Sequence, residues 1–311
     1  MDNLSVIFNA QTDRLMKKIL FFVITILANS LAGNAQDTNF AFRVLANKGD
    51  NKVEKQNGDI VALKSRDLLY ETDILITSDG AYLGLMHSSG KAQEVKGKQK
   101  VAVADLIVNV SGQQLSSLSK YAQMISKRLA EGEADKKVSV GTRAVGSKIE
   151  VMMPQENELY GSKAVVKFKS TDKAPATYEV VILDILDEVV YSAETSSDSV
   201  LVDFSTVEND MGLYVLNVRK KSDATFASAN YPIRHLSGDE YDVITNDLEP
   251  LTAGLSEDSP LNLLIIASFF DDNELFLDAQ YNYERAIALS PDIPEYKELY
   301  QIFLESYGLN K

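Results

Sequence analysis

LNLLIIASFFDDNELFLDAQYNYERAIALSP, from Leu261 to Pro291, carries two apolar stripes at helical spacing. Leu263, Ile266, Ala267 and Phe270 recur every three or four residues, which places them on one face of a helix. Phe276, Ala279, Tyr283, Ala286 and Leu289 form a second such set. Asp271, Asp272 and Asn273 lie between the sets and are expected to supply the polar turn of a helical hairpin. Burying each large side chain of these stripes contributes roughly 1.5–3 kcal/mol before the entropy cost. Phe270 and Tyr283 are therefore expected to anchor the bundle.

Working outward, Tyr241, Ile244, Leu248 and Leu251 line one face of a helix expected from about Gly238 to Gly254. Ser259-Pro260 then opens the hairpin, with proline where a first helical turn tolerates it. Beyond Pro291 and Pro294, the residues Tyr296, Leu299, Tyr300 and Phe303 predict a last amphipathic helix ending near Gly308. The order of small and aromatic positions from Leu261 to Pro291 resembles a tetratricopeptide repeat, flanked here by two helices that act as caps. The resemblance implies a binding role in which the first helix lines a groove, faced by Leu261, Leu264, Ser268, Asp271 and Asp272. For Leu261 and Leu264, burial as core against the preceding helix is the favoured reading, and the groove is favoured for Ser268, Asp271 and Asp272.

Between about Phe40 and Val110 the pattern changes to short β runs. FAFRVLAN, DIVAL, DILITS, AYLGLMHS, KAQEVK and KVAVADLIVNV are separated by Gly49-Asp50, Asn57-Gly58, Asp79-Gly80 and Ser89-Gly90, which favour tight turns. The segment Gly58 to Gly90, with Leu68, Asp73, Ile74, Thr77, Gly80, Leu85 and Gly90, resembles a FecR-type β domain. It departs from that family at Thr72, where a glycine is usual. The resemblance implies an extracytoplasmic domain of the kind used in envelope signalling. No membrane-spanning segment follows it, so an anti-sigma role is not carried over.

Gln113 to Glu131 switches to helical period, with Leu115, Leu118, Ala122, Ile125 and Leu129 on one stripe and Gly132 as its stop. A connecting helix between two β regions fits better than a coiled coil, which wants three or more sustained heptads. Residues 138–235 return to β pattern, with strands expected at Ala164–Phe168, Tyr178–Leu183, Glu188–Ser192, Val200–Phe204 and Leu213–Arg219. Short strands separated by turns suggest an antiparallel sandwich. Within it, Gly212-Leu-Tyr-Val-Leu-Asn-Val resembles a late strand of immunoglobulin or fibronectin type III-like domains. Asp184, Asp187 and Glu188 cluster, but their spacing is not that of a calcium loop, and an acidic hairpin turn explains them without a ligand.

At the other end, residues 16–36 read MKKILFFVITILANSLAGNAQ, the basic, apolar and small-residue layout of a secretory signal. The apolar run from Ile19 to Ala28 is well below the ~20 residues that cross a bilayer. Cleavage is expected near Gln36. Residues 1–15 precede the basic region and contain Asp2 and Asp13, so a translation start at Met16 and a harmless extension are both open.

The 311 residues are 45% hydrophobic and 24% charged, the balance of a folded protein of two or three domains. A net charge of −14 argues against sequence-independent nucleic-acid binding, which needs a cationic surface. Zero cysteines exclude disulfides, thiolate metal sites and a lipoprotein anchor, and two histidines, His87 and His235, leave little for imidazole chemistry. Phosphate-cradling loops, G-x-S-x-G and H-E-x-x-H are absent.

The expected architecture is multidomain α+β. It comprises a signal peptide (1–35), a FecR-like β domain (36–112), a connecting helix (113–132), a β-sandwich-like domain (138–235) and a helical tetratricopeptide-like domain (236–311). The functional expectation is a non-enzymatic exported interaction or scaffold protein of the bacterial envelope, with a protein partner, no nucleic acid, no cofactor and no metal. The alternative is a carboxylate-dependent hydrolase of envelope glycan or peptidoglycan. A sensor or regulatory subunit of envelope signalling is a third reading, suggested only by the FecR-like stretch.

Overall fold

The structure is a computed structural model that describes residues 40–108, 116–132, 137, 148–207, 211–253, 255–256 and 258–309. The signal-like segment and the start of the connecting helix at Gln113 lie outside the described residues. Within 41–311 the chain forms one contact unit of mixed α+β type with several antiparallel sheets.

The first part runs β1 (Phe42–Lys48), β2 (Lys52–Glu54), β3 (Ile60–Ala62), β4 (Leu68–Leu69), β5 (Ile74–Ile76), β6 (Tyr82–His87), β7 (Ala92–Lys96), β8 (Lys100–Ala102) and helix α1 (Val103–Val108). These strands form two sheets, ordered β4-β1-β6-β7 and β3-β2-β5-β8. The run KVAVADLIVNV is not one strand. It leaves the sheet after Ala102 and turns helical, because Val103 N–H donates to Asp73 O at 2.9 Å while Val103 and Leu106, three residues apart, bury together. At the β1–β2 turn Gly49 has φ +106°, and a Cβ there would stand 2.6 Å from Ser78 Oγ.

The sheet β4-β1-β6-β7 is buried on both faces. Leu83 and Leu85 of β6 join Phe42, Val44, Val53, Leu69 and Leu75 in a small core, while Tyr82 and Met86 point into a second, larger core. The strand therefore reads as a continuous apolar run instead of an alternation. Gly84 lets a helix approach that sheet closely: a Cβ there would lie 3.2 Å from Tyr296 Oη and 3.3 Å from Ala46 Cβ.

Helix α2 (Ser116–Glu131) connects to the second β part, made of β9 (Ile149–Val151), β10 (Asn157–Leu159), β11 (Lys163–Ser170), β12 (Tyr178–Leu183), β13 (Val189–Thr195), β14 (Ser199–Asp203), β15 (Leu213–Lys220), β16 (Asp223–Ala227) and β17 (Tyr231–His235). One sheet has order β14-β11-β9 and the other β10-β17-β15-β12-β13, with β16 paired to β15. The sheets meet through Phe168 on Tyr178 and Phe204 on Tyr214, each with ring centroids 5.1 Å apart. Tyr214, Leu216 and Val218 are buried on one face of β15, as their alternation predicts. The expected all-antiparallel arrangement is corrected at one place, since β10 pairs with β17 in parallel. Phe204 also lies beyond its strand, in a 3₁₀ turn whose cap, Asp203, accepts from Ser205 N–H at 3.0 Å.

The acidic hairpin turn is an ordered one: Asp184 Oδ1 accepts from Leu186 N–H at 2.8 Å and from Glu188 N–H at 2.9 Å. One of the three carboxylates is thereby committed to shaping the turn. His87 ends β6 and His235 ends β17, where its Nε2 lies 2.9 Å from Gly161 O.

Four helices finish the chain: α3 (Gly238–Thr252), α4 (Pro260–Asp272), α5 (Phe276–Leu289) and α6 (Pro294–Ser306). Ser259 caps α4 by accepting from Asn262 N–H at 3.2 Å, with Pro260 in the first turn. The expected turn at Asp271-Asp272-Asn273 begins later, because α4 continues through Asp272. Phe276, Tyr283, Phe303 and Tyr307 stack between α5 and α6, with Phe276–Phe303 and Tyr283–Phe303 centroids 5.0 Å apart. These aromatics belong to the larger core, which also takes in Leu45 of β1, Ile125 of α2 and Phe168 of β11. Leu289, expected on the apolar face of α5, is exposed. Among the described residues no helix is long and apolar enough to cross a membrane.

Candidate functional site

The face of α4 expected to line a groove is closed by the chain itself. Leu261, Leu264, Ser268 and Asp271 are all buried, which corrects the groove assignment of all four and, for the two leucines, agrees with the burial favoured for them. Only Asp272 is exposed, and it pairs with Lys120 of α2. Ser268 Oγ donates to Leu264 O at 2.8 Å, which satisfies the hydroxyl within its own helix. The cover is α2: Tyr121 packs edge-on against Phe269 at 5.7 Å, and Ala122, Ile125 and Leu129 are buried with it.

Charge locks that cover in place. Arg128 Nη2 lies 2.6 Å from Asp271 Oδ2 and Lys137 Nζ lies 3.0 Å from Asp271 Oδ1, to which Tyr307 Oη also donates at 3.2 Å. Arg128 Nη1 donates to Tyr283 Oη at 3.4 Å. Desolvation works against the Arg128 charge, but Tyr283 and Asp271 more than offset it and hold the guanidinium above its ordinary value. Burial pushes the Tyr283 hydroxyl up to about 12. An aspartate read as a polar turn is thus the centre of a buried ionic junction.

A concave surface that stays open lies between the first β part and the helices. It is a cleft of about 370 Å³ whose walls include Lys48, Lys96, Asp258, Leu289, Asp292 and Ile293. Lys48 Nζ lies 2.7 Å from Asp292 Oδ2, an ion pair that lowers the Asp292 carboxyl below its usual range. Lys96 Nζ lies 2.7 Å from Glu94 Oε2. Glu94 Oε1 accepts from Tyr82 Oη and from Ser259 Oγ, both at 2.9 Å. With the Tyr82 proton committed to Glu94, Tyr296 donates to Tyr82 across 2.6 Å.

Burial, followed by the neighbouring Tyr296 and Glu94, raises the Tyr82 hydroxyl far above its ordinary value. Tyr296 is raised chiefly by burial. At neutral pH both phenols are therefore hydrogen-bond donors, and the network joins β6 and β7 to the start of α4 and to α6.

The sequence reading missed this cleft. Tyr82 and Tyr296 are 214 residues apart, and nothing local to either marks the other. The one available signal was Ser259-Pro260, read correctly as a helix start but not as a wall of a surface. Among the described residues no group of three or more His, Asp or Glu is placed to hold a metal ion. No protein-family profile matches the chain, and no curated protein matches it.

Proposed function

We propose that the chain is a non-enzymatic interaction or scaffold protein of the bacterial envelope, exported by the segment at 16–36, and that its partner engages the cleft beside Lys48, Lys96, Asp258 and Asp292. The observation that carries this reading is that α2 fills the face of α4, while the cleft is a concave surface that stays open to a partner. Its charged groups suit recognition: the lysines are neutralised by carboxylates and the phenols are held protonated. The finer reading belongs to the same proposal: a FecR-like β domain, an immunoglobulin-like sandwich and a tetratricopeptide-like hairpin. It is supported by turn glycines at Gly49, Gly58, Gly80 and Gly90 in the first part and by the close packing of α4 on α5 in the last.

The rival reading, a carboxylate-dependent glycan or peptidoglycan hydrolase, draws on Asp258 and Asp292 lining one cleft. One experiment separates the two. Affinity capture from envelope extract with the mature chain is expected to recover a protein that the Lys96→Glu/Asp258→Lys variant loses. Equal recovery by both would move the partner surface elsewhere. Release of soluble glycan from purified cell wall, lost on Asp258→Asn, would replace the scaffold reading with the hydrolase.

A further inference from the structure

Strand β3 ends the sheet β3-β2-β5-β8, and residues 56–62 are exposed throughout. Parity in the β2–β3 ladder decides which backbone groups face outward. Lys55 N–H donates to Asp59 O and Leu63 N–H donates to Asn51 O, both at 2.8 Å, with Val53 opposite Val61 between them. Residues 59, 61 and 63 therefore turn their backbone groups toward β2, and Ile60 and Ala62 turn theirs to solvent. Among the described residues no further strand pairs with this edge, and with Ile60 56% exposed and Val61 45% exposed it is also apolar. Such an edge is a template for a further strand.

We propose that this strand is β3 of a second copy, paired antiparallel about a two-fold axis at Val61. In that register Ile60 stands opposite Ala62 of the second copy, and the symmetry repeats the pair. Each pair exchanges two N–H···O bonds, so all the outward groups of Ile60 and Ala62 are satisfied. The neighbouring two-fold registers fail on this chain's own bonds. Centring on Ala62 would call on Lys64 N–H, which already donates to Asp67 Oδ2 at 2.8 Å. Centring on Ile60 would call on Gly58 N–H, which already donates to Lys55 O at 2.8 Å.

Charge does not oppose that register: Asp59 stands opposite Leu63 of the second copy and Lys64 opposite its Gly58, on the other face of the sheet, so no like charges face one another across the Ile-Val-Ala centre. The net charge of −14 opposes association over long range. At physiological salt it is screened beyond about 8 Å, which leaves the contact terms to decide. A three-residue strand buries little surface, so the dimer is reversible and concentration-dependent. This inference stands apart from the proposed role of the cleft.

The test uses the full mature chain, which has no cysteine of its own. In the proposed pairing the two Val61 Cα atoms are about 4.5 Å apart, within disulfide reach. Ala62 is offset by two residues from its own copy, at roughly 8 Å, beyond that reach. Under mild oxidation Val61→Cys is expected to give a reductant-sensitive species of doubled mass, and Ala62→Cys is not. Sedimentation of the wild type is expected to show mass rising with concentration, while Val61→Lys, which sets like charges on the axis, stays monomeric with an unchanged melting curve. A wild type that remains monomeric across the series overturns the proposal, as does Ala62→Cys cross-linking as readily as Val61→Cys.

Discussion

The α2–α4 junction and the rim of the cleft each pair a basic side chain with an aspartate, and they differ in their access to water. Arg128 and Asp271 have side chains 6% and 0% exposed, whereas Lys48 and Asp292 are 45% and 69% exposed. Both pairs are within 2.7 Å, so distance does not distinguish them. Solvation does. A desolvated ion has no substitute for its partner, while an exposed one exchanges its partner for water at little cost. The first pair therefore dictates how α2 seats on the helical hairpin, and the second leaves the cleft rim able to rearrange around a partner.

The sharpest way to break that contrast is to remove Asp271. Asp271→Ala strands Arg128 among buried aromatics and is expected to cost about 3–5 kcal/mol in urea unfolding. The paired replacement Asp271→Leu/Arg128→Met removes both members of that pair and is expected to recover part of the loss, since an apolar pair of similar volume replaces a buried ion pair well while Lys137, 18% exposed, still loses its carboxylate. If Asp271→Ala melts like the wild type, the junction is not the desolvated one described above.

A third carboxylate tests whether burial alone sets the cost or whether the partner matters. Among the described residues no lysine or arginine pairs with the buried Asp278; its oxygens accept instead from Tyr160 N–H at 2.9 Å and Gly161 N–H at 2.7 Å. Desolvation raises its pKa from 3.8 to about 6, against the opposing pull of those two amides and of nearby His235. An acid whose folded pKa is raised stabilises the fold below its unfolded pKa, and that contribution is lost as pH rises through the folded value. Between about pH 4 and pH 7 the wild type is expected to lose roughly 2 kcal/mol relative to Asp278→Asn. Urea midpoints of both proteins across that range check it, and parallel pH profiles would show the carboxyl to be unperturbed.

The loop that holds Asp278 gives a smaller effect. Gly161 is placed so that a Cβ would stand 2.8 Å from Asp278 Oδ1. Gly161→Ala must push the loop or the carboxylate aside, at an expected cost of about 1–3 kcal/mol. The loss should shrink in an Asp278→Ala background, where the crowded oxygen is gone; an equal loss in both backgrounds would place its cause elsewhere.

These carboxylates also show how far the sequence could be read. Period and turn chemistry located the hairpin helices, β12 and the alternation of β15, because each is a property of adjacent residues. Asp271 was read as a turn residue because aspartate before Asp272-Asn273 carries that local signature, and its Arg128 partner lies on a different helix. The helical turn after Ala102 was missed for a like reason: Val103 and Leu106 suit a strand locally, and the Asp73 carbonyl that receives Val103 N–H is distant in the chain. β10 consists of three residues and acquires its strand character from parallel pairing with β17, again a non-local cause. The cleft combines all of these, since its walls come from β1, β6, β7 and the links before α4 and α6.

The smallest expected effect closes the comparison. Lys48 and Asp292 make a 2.7 Å ion pair at the cleft rim, and judged by distance alone Lys48→Ala would match the loss at Asp271. Solvent screening predicts a change of about 0–1 kcal/mol. Asp292→Ala is expected to leave the urea midpoint as little changed, and the double variant to add nothing to either alone, because each partner returns to water once the other is removed. Urea unfolding of the two single variants and the double variant measures this as a coupling energy. A coupling of several kcal/mol would mean that the rim is as desolvated as the α2–α4 junction, and the cleft would then be a sealed seam and no open surface for a partner.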